Sequence, residues 1–408
     1  MTTQGDLEIA AKENVLVFVL DNFDSSWFEE IVEDDPDFVE PLADFTYYRN
    51  GTSQFAHTSM AIPYMLTGSV WTEETEGNYF NYAYENSNVI ETLADNKCNI
   101  GIYTGVSYLS DSVKLLTENY SEQVTREYSV GKTLDMMINA SMYKIMPFVI
   151  KPEYIYYSGD MYNMASSDEI WSIDNDMLFY NRVVEQGISV NEDYSSAFRF
   201  YHMRGPHAPF YLSDDMRYEP TGRRATRNSQ GRGSMKIVYE YMRQLKELGL
   251  YDDATIIITA DHGFIYKRDK IAESDKIEGI KGKTSFINRR FVVAQEPVSR
   301  DGIASMEMNK VLRNDDTKWV SYPISDDVFK VAGGGQNYVH GGSSPQEMLV
   351  PVLDLKMERG HMETRSAGIA LVSMVRKITN KITILDFIQS EPVSDVVKAA
   401  SYRLFFIS

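Results

Sequence analysis

Two runs of apolar and β-branched residues, 14–20 and 255–259, lead into an acidic residue, Asp21 directly and Asp261 after Ala260. Unbroken apolar runs of this length predict strands buried on both faces, as in the middle of a parallel sheet. Between them the pattern switches period. Residues 25–31 read as the capped start of a helix, and 58–66 as a short helix ending near Gly68. Helix 89–93, strand 99–103 and helix 110–116 follow, with a further strand over 195–201. Met235, Val238, Met242, Leu245 and Leu248 recur at helical spacing, which predicts an amphipathic helix capped by Ser234 and stopped by Gly249. Leu134, Met137 and Ile138 have the same spacing and read as core or cleft lining. Alternation of this kind predicts an α/β fold with a mostly parallel central sheet.

In such sheets the ligand crevice lies beyond the carboxyl ends of the strands. Asp21 and Asp261 are therefore expected at one sheet edge if their strands are parallel. Asp261 is followed by His262 and Gly263. A hard carboxylate beside an imidazole suits a divalent metal ion; the plainer reading is a turn that ends the strand. Thr58 opens its predicted helix, where backbone N–H groups favour an anion such as a phosphate. A bare N-cap threonine explains the same residue. His202 and His207 flank Gly205-Pro206 in a rigid loop at a strand end.

Composition narrows the choice. The 408 residues are 43% hydrophobic and 24% charged, as in ordinary globular proteins, and the net charge is −19. That charge argues against nucleic acid as the main partner. Arg223, Arg224, Arg227 and Arg232 form a local basic cluster in this acidic chain, readable as a solvated loop or as an attractor for an anionic ester. The single cysteine, Cys98, excludes an internal disulfide and a thiolate zinc site, and is read as a buried structural thiol. With no apolar run long enough to span a bilayer and no leader pattern, the chain as given is expected to be soluble and cytoplasmic. An extracytoplasmic, membrane-anchored enzyme is the alternative.

Four marks occur in order: Asp21 at a strand end; Thr58 ahead of Pro63 and Leu66-Thr67-Gly68; the His202-x-x-Gly205-x-His207-x-Pro209 loop; and Thr259-Ala260-Asp261-His262-Gly263. Together they resemble the sulfatase-like branch of the alkaline phosphatase superfamily, with its lipoteichoic acid synthase-like and phosphoethanolamine transferase-like enzymes. The resemblance covers residues 14–263. It implies a three-layer α/β fold in which Asp21, Thr58, Asp261 and His262 hold one divalent ion (manganese, zinc or magnesium). It also implies that Thr58 is the nucleophile and that His202 and His207 contact the substrate. Sulfatases proper carry a Cys/Ser-x-Pro-x-Arg signature; residues 58–62 lack its proline and arginine, which points to phosphoryl rather than sulfuryl transfer.

After Gly263 the character changes. Residues 264–269, Arg289-Arg290-Phe291-Val292-Val293, Gly333-Gly334-Gly335 and the stretch from Tyr338-Val339-His340-Gly341-Gly342 to Pro351 resemble the PglZ domain of BREX-type phage-resistance systems, a member of the same superfamily. The two resemblances meet at Asp261-His262-Gly263, as in a composite. The expected organisation is a polar lead-in (1–13), a catalytic domain (14–355) and a small β-rich C-terminal segment (356–408) that looks truncated after a strand over 402–407. His340, in a glycine-rich loop, is the expected late metal ligand. A second ion lacks a clear ligand set. Arg204, Arg223 and Arg224 are the candidate substrate-binding cations. The function expected is a metal-dependent phosphoester hydrolase or phosphotransferase. A sulfatase, and a phage-defence component that acts mainly by binding partner proteins, are the competing readings.

Overall fold

The computed structural model describes residues 1–70, 78–122, 130–154, 170–173, 176–219, 225–267, 271–278, 284–312, 315–331, 338–356, 365–373, 384–394, 397–400 and 402. The chain divides into two units, Met1–Met357 and Glu358–Ser408.

The first unit is built on a six-stranded sheet. Its strands are β1 (Glu13–Leu20), β2 (Thr46–Tyr48), β3 (Cys98–Tyr103), β4 (Ser196–Met203), β5 (Ala254–Thr259) and, from the end of the unit, Val352–Lys356. β1 lies at the centre, parallel to β5 on one side and to β4 on the other, with β3 parallel to β4 beyond it. Val352–Lys356 pairs antiparallel with both β5 and β2. The expected mostly parallel α/β sheet is thus present, and its two runs into Asp21 and Asp261 are adjacent parallel strands.

Side chains of β1 alternate between two cores, which makes the sheet the middle of three layers. Leu16, Phe18 and Leu20 pack on one face with Tyr201, Met203, Ile256 and Ile258. That face is covered by α1 (Ser25–Asp34), α3 (Asp176–Glu185) and α4 (Arg227–Glu247), through Trp27, Phe28, Phe179, Val238, Tyr241 and Leu245. Val17 and Val19 point to the other face, where Ile62 and Leu66 of α2 (Thr58–Thr67) pack with Ile90, Ile100, Ile102 and Phe200. Burial of these side chains contributes roughly 1.5–3 kcal/mol each before conformational entropy is counted.

Several boundaries differ from those expected. Ser234 does not cap α4. The helix starts two turns earlier, capped by Thr226 in a capping box with Ser229, and Ser234 is buried within it. Gly231 and Gly233 weaken the helical signal there, but close packing requires them: a Cβ on Gly231 would lie 2.6 Å from Trp27, and one on Gly233 2.8 Å from the Ser213 carbonyl. Strand β4 runs on through Met203, so His202 sits inside the strand rather than in the loop after it. Leu134, Met137 and Ile138 do form a helix, Val130–Ile145, but they are exposed rather than core. Cys98 is half-buried.

Beyond β5, residues 284–323 form a second, antiparallel sheet: β6 (Thr284–Ile287), β7 (Val292–Ala294), β8 (Ile303–Glu307) and β9 (Trp319–Pro323), in the order β6-β7-β9-β8. Two-residue pairings link Ile265–Tyr266 to Tyr338–Val339, which brings the His340 stretch back to the end of β5. The second unit holds two short strand pairs among its described residues, Arg365–Ser366 with Val397–Lys398 and Ile369–Leu371 with Phe387–Gln389. Of the strand expected over 402–407 only Tyr402 is described, and Gly333-Gly334-Gly335 lie outside the described residues.

Candidate metal and phosphoryl-transfer site

Strand register builds the first corner of the site. β1 and β5 pair with a constant offset, Asn14 opposite Ala254 through Val19 opposite Thr259. The same offset places Asp21 beside Asp261, just past the strand ends. Neighbouring strands lie about 4.8 Å apart, and one ligand atom each of Asp21, Asp261 and His262 falls within 4.8 Å of the others. Asn22, at φ 61°, turns the chain so that its N–H reaches Asp261 Oδ1 at 3.4 Å. Ser53 Oγ donates to the Asp261 carbonyl at 2.6 Å and fixes the backbone there. Gly263 must be glycine: a Cβ would lie 2.2 Å from the Gln346 carbonyl.

α2 supplies the second corner. Its N-cap is His57, not Thr58; His57 Nδ1 accepts from the Ser59 N–H at 3.3 Å. Thr58 is therefore the first helical residue, and its hydroxyl is not used in capping. That hydroxyl lies 3.2 Å from His262 Nε2, which is itself 3.3 Å from Asp261 Oδ2. His262 Nδ1 lies 2.8 Å from the Gly263 carbonyl. A carbonyl only accepts, so the proton sits on Nδ1 and the lone pair on Nε2 faces Thr58 and Asp261.

Histidines from distant parts of the chain close the site. His202, fully buried, has Nδ1 2.9 Å from Thr104 Oγ1 and Nε2 3.9 Å from Asp21 Oδ2. The Nε2 atom is buried and makes no hydrogen bond. His340 stacks on His262 with ring centroids 4.6 Å apart, and its Nδ1–H donates to the Ala56 carbonyl at 3.1 Å. His57 stands 5.7 Å from His340. His207 packs edge-on to Tyr338 at 5.7 Å, and the Tyr338 hydroxyl accepts from Asn22 Nδ2 at 2.5 Å and from the Ala208 N–H at 3.0 Å.

Burial disfavours the protonated form of His202, His207 and His340. Burial pushes His202 down to about 4, His207 to about 3 with help from Arg204, and His340 to about 4 with help from His262. Burial works to raise Asp261, but the His262 and His202 rings outweigh it and hold the carboxyl below its ordinary range. Neutral imidazoles with lone pairs beside two buried carboxylates are the donor set a divalent cation takes. The orphaned Nε2 of His202, aimed at Asp21, is a buried atom whose cost such an ion would offset. Asp21, Asp261, His262 and Thr58 fit this role; His340 adjoins the cluster through His262.

Three supports were not among the candidate site residues. Asp176, fully buried, accepts from the N–H groups of Arg204 (2.9 Å) and Gly205 (3.3 Å) and from Ser234 Oγ (2.6 Å), so it fixes the loop between His202 and His207. Burial raises its pKa to about 6. Arg290 and Glu347 form a bidentate pair with both side chains fully buried, 3.0 and 2.8 Å. Glu347 also accepts from the Gly342 N–H and from Ser344, which anchors the turn after His340. Asn22 is the third.

The basic cluster is divided. Arg227 pairs with Asp24 and Arg232 with Asp35, so both are internal ties. Arg204 is buried, donates to the Pro209 carbonyl at 3.1 Å and lies over the Tyr211 ring at 4.4 Å. Arg223 and Arg224 lie outside the described residues.

Residues 222–355 match the BREX system PglZ alkaline phosphatase-like domain. The matched span holds Asp261, His262, His340, Arg290 and Glu347. It begins ahead of the Asp261-His262-Gly263 boundary at which the PglZ resemblance was expected to start. The chain is 38% identical over 156 residues to the alkaline phosphatase-like protein PglZ of Bacillus cereus (strain H3081.97), covering 38% of this chain and 18% of that protein. It is 24% identical over 159 residues to the alkaline phosphatase-like protein BrxZ of Escherichia coli O9:H4 (strain HS), covering 37% of this chain and again 18% of the relative. The chain thus matches under a fifth of the length of either. Similar solved structures include murine ectonucleotide pyrophosphatase/phosphodiesterase 5, at TM-score 0.42 and 12% identity over 85% of this chain and 88% of that one. They also include the phosphoethanolamine transferase A of Neisseria meningitidis, at TM-score 0.38 and 9% identity over 84% and 47%. Among the described residues no helix is long and apolar enough to cross a membrane.

Proposed function

We propose that this chain is a metal-dependent phosphoester hydrolase or phosphotransferase with Thr58 as nucleophile. The observation that carries the reading is the meeting of Thr58, from the start of α2, with Asp261 and His262, from the end of β5, beside Asp21. Asp21, Thr58, Asp261 and His262 would hold one divalent ion, manganese, zinc or magnesium, with His340 beside them. Such an ion, when bound, acidifies the Thr58 hydroxyl and screens the charge of the ester.

The chain's own groups do the rest. Thr58 Oγ1 attacks phosphorus, and the ester oxygen departs with the electron pair of the broken bond. With His262 Nε2 committed to holding the ion, the Thr58 proton leaves to solvent as Oγ1 attacks. His207 lines the approach to the ester, where its neutral imidazole N–H donates to the ester oxygens or to the leaving oxygen, while His202, fully buried with Nε2 facing Asp21, backs the ion site. Water, or an acceptor hydroxyl, then resolves the phosphothreonine. The absence of a Cys/Ser-x-Pro-x-Arg signature at residues 58–62 favours phosphate over sulfate esters. Parallel assays with aryl phosphate and aryl sulfate test this: turnover of the phosphate that disappears in Thr58→Ala supports the reading, and turnover of the sulfate alone overturns it.

The similarity of residues 222–355 to a BREX-system domain favours a second reading alongside the first. Here the chain serves in phage defence through partner proteins, in the cytoplasm, and the site is retained within that assembly. A pull-down from a host carrying such a system checks it; recovery of no defence protein counts against it.

A further inference from the structure

The sheet β6-β7-β9-β8 departs from the usual alternation. An antiparallel sheet with one covered face ordinarily shows polar side chains on the other. Its covered face holds Val292 and Ala294, packed with Ile277 and Phe329. Its open face is apolar as well: Val293 stands opposite Val320, and Phe291 and Tyr322 flank that pair. These four and Met308 form one wall of a pocket of about 400 Å³, and the opposite wall is Gly341-Gly342-Ser343, the three residues directly after His340. Among the described residues no charged side chain lines it.

Both walls are tied to one anchor. Arg290, adjacent to Phe291, is locked to Glu347, and Glu347 holds the Gly342 N–H at 2.8 Å. Gly341, at φ 102°, makes the turn that carries the chain from His340 to the pocket. The pocket is therefore preformed, and it starts one residue from a ring stacked on His262.

We propose that this pocket binds a flat aromatic group of the ester, held while the phosphoryl end lies at Thr58. The proposal rests on the phosphoester reading given above. Size and chemistry favour such an occupant: the volume suits a one- or two-ring group, and the Phe291 and Tyr322 rings offer stacking or edge contacts. A sugar or a charged acceptor would find almost no polar partners there.

Equilibrium binding tests it in the full chain carrying Thr58→Ala, with Mn²⁺ present, using methyl phosphate, 2-naphthyl phosphate and 2-naphthol. The expected result is that 2-naphthyl phosphate binds at least about tenfold tighter than methyl phosphate. Val320→Asp and Phe291→Ala should each remove most of that advantage and leave methyl phosphate affinity as it was, which also shows that the variants are folded. Equal affinities for the two esters, or an advantage that survives both substitutions, would overturn the pocket and leave the phosphoester reading standing. Binding of 2-naphthol that Val320→Asp abolishes, with no binding of either ester, would retain the aromatic site and remove the phosphoester reading. Binding of none of the three would overturn the proposal.

Discussion

The two sides of the site are held by different physics. On the β1–β5 side, Asp21 and Asp261 are placed by the register of two buried parallel strands, so their spacing is a property of the sheet itself. On the His340 side there is no long strand. A two-residue pairing and a glycine turn carry the histidine, and a buried ion pair, Arg290 with Glu347, fixes the turn. Strand register needs only apolar runs and survives many substitutions. A buried pair depends on both partners, because losing one leaves an uncompensated charge. The first side should therefore lose chemistry without losing structure when its polar groups are changed, and the second should lose structure first.

The largest expected effect is on the chemistry of the first side. Thr58→Ala should lower phosphoester turnover by on the order of 10⁴-fold, with an unchanged denaturation midpoint; steady-state kinetics beside a urea melt reads both. A comparable fall in midpoint would break the contrast. Next comes the second side. Arg290→Met should cost roughly 3–5 kcal/mol of stability, read from urea unfolding. The double change Arg290→Met with Glu347→Leu should recover part of it by removing the stranded carboxylate.

Asp176→Asn probes the loop between the two sides. Asn keeps the size but weakens the acceptor for Arg204, Gly205 and Ser234. Turnover should fall about tenfold through misplacement of His207 while metal content stays at the wild-type level. Loss of metal in this variant would mean that Asp176 supports the ion site instead.

A further prediction concerns pH. In metal-free protein, His202, His207 and His340 have folded pKa values near 4, 3 and 4, below the ordinary 6.5. The unfolded chain then binds more protons below about pH 6.5, so stability is lost as pH falls from there toward 4. Asp176, raised to about 6, works the other way between its ordinary value and 6. Three histidines against one carboxyl leave a net loss on acidification, measurable as a falling urea midpoint. His207→Gln should flatten the curve.

Much of the first side was legible because long-range placement there follows from local pattern. Apolar runs ending in Asp21 and Asp261 are visible in the chain, and parallel pairing does the rest. The His202–His207 loop was legible as punctuation around Gly205-Pro206, although His202 proved to be the penultimate residue of its strand. What could not be read depends on partners far apart in sequence. Asp176 lies in a stretch with no chemical pattern, and its partners are Arg204, Gly205 and Ser234. Arg290 looks like one cation of an Arg-Arg pair until its bond to Glu347 is seen. Thr226 is hard to read as the cap of α4 because Gly231 and Gly233 resemble helix breakers, whereas packing on Trp27 and Ser213 demands them. Asn22 gives no sign of its left-handed backbone.

The most direct test is the metal content of the purified full chain beside Asp261→Asn, by elemental analysis. The account predicts about one equivalent of manganese, zinc or magnesium in the wild type and a large loss in the variant, with both proteins folded. Wild-type protein that takes up no divalent ion after reconstitution, or an Asp261→Asn variant that retains a full equivalent, would contradict it.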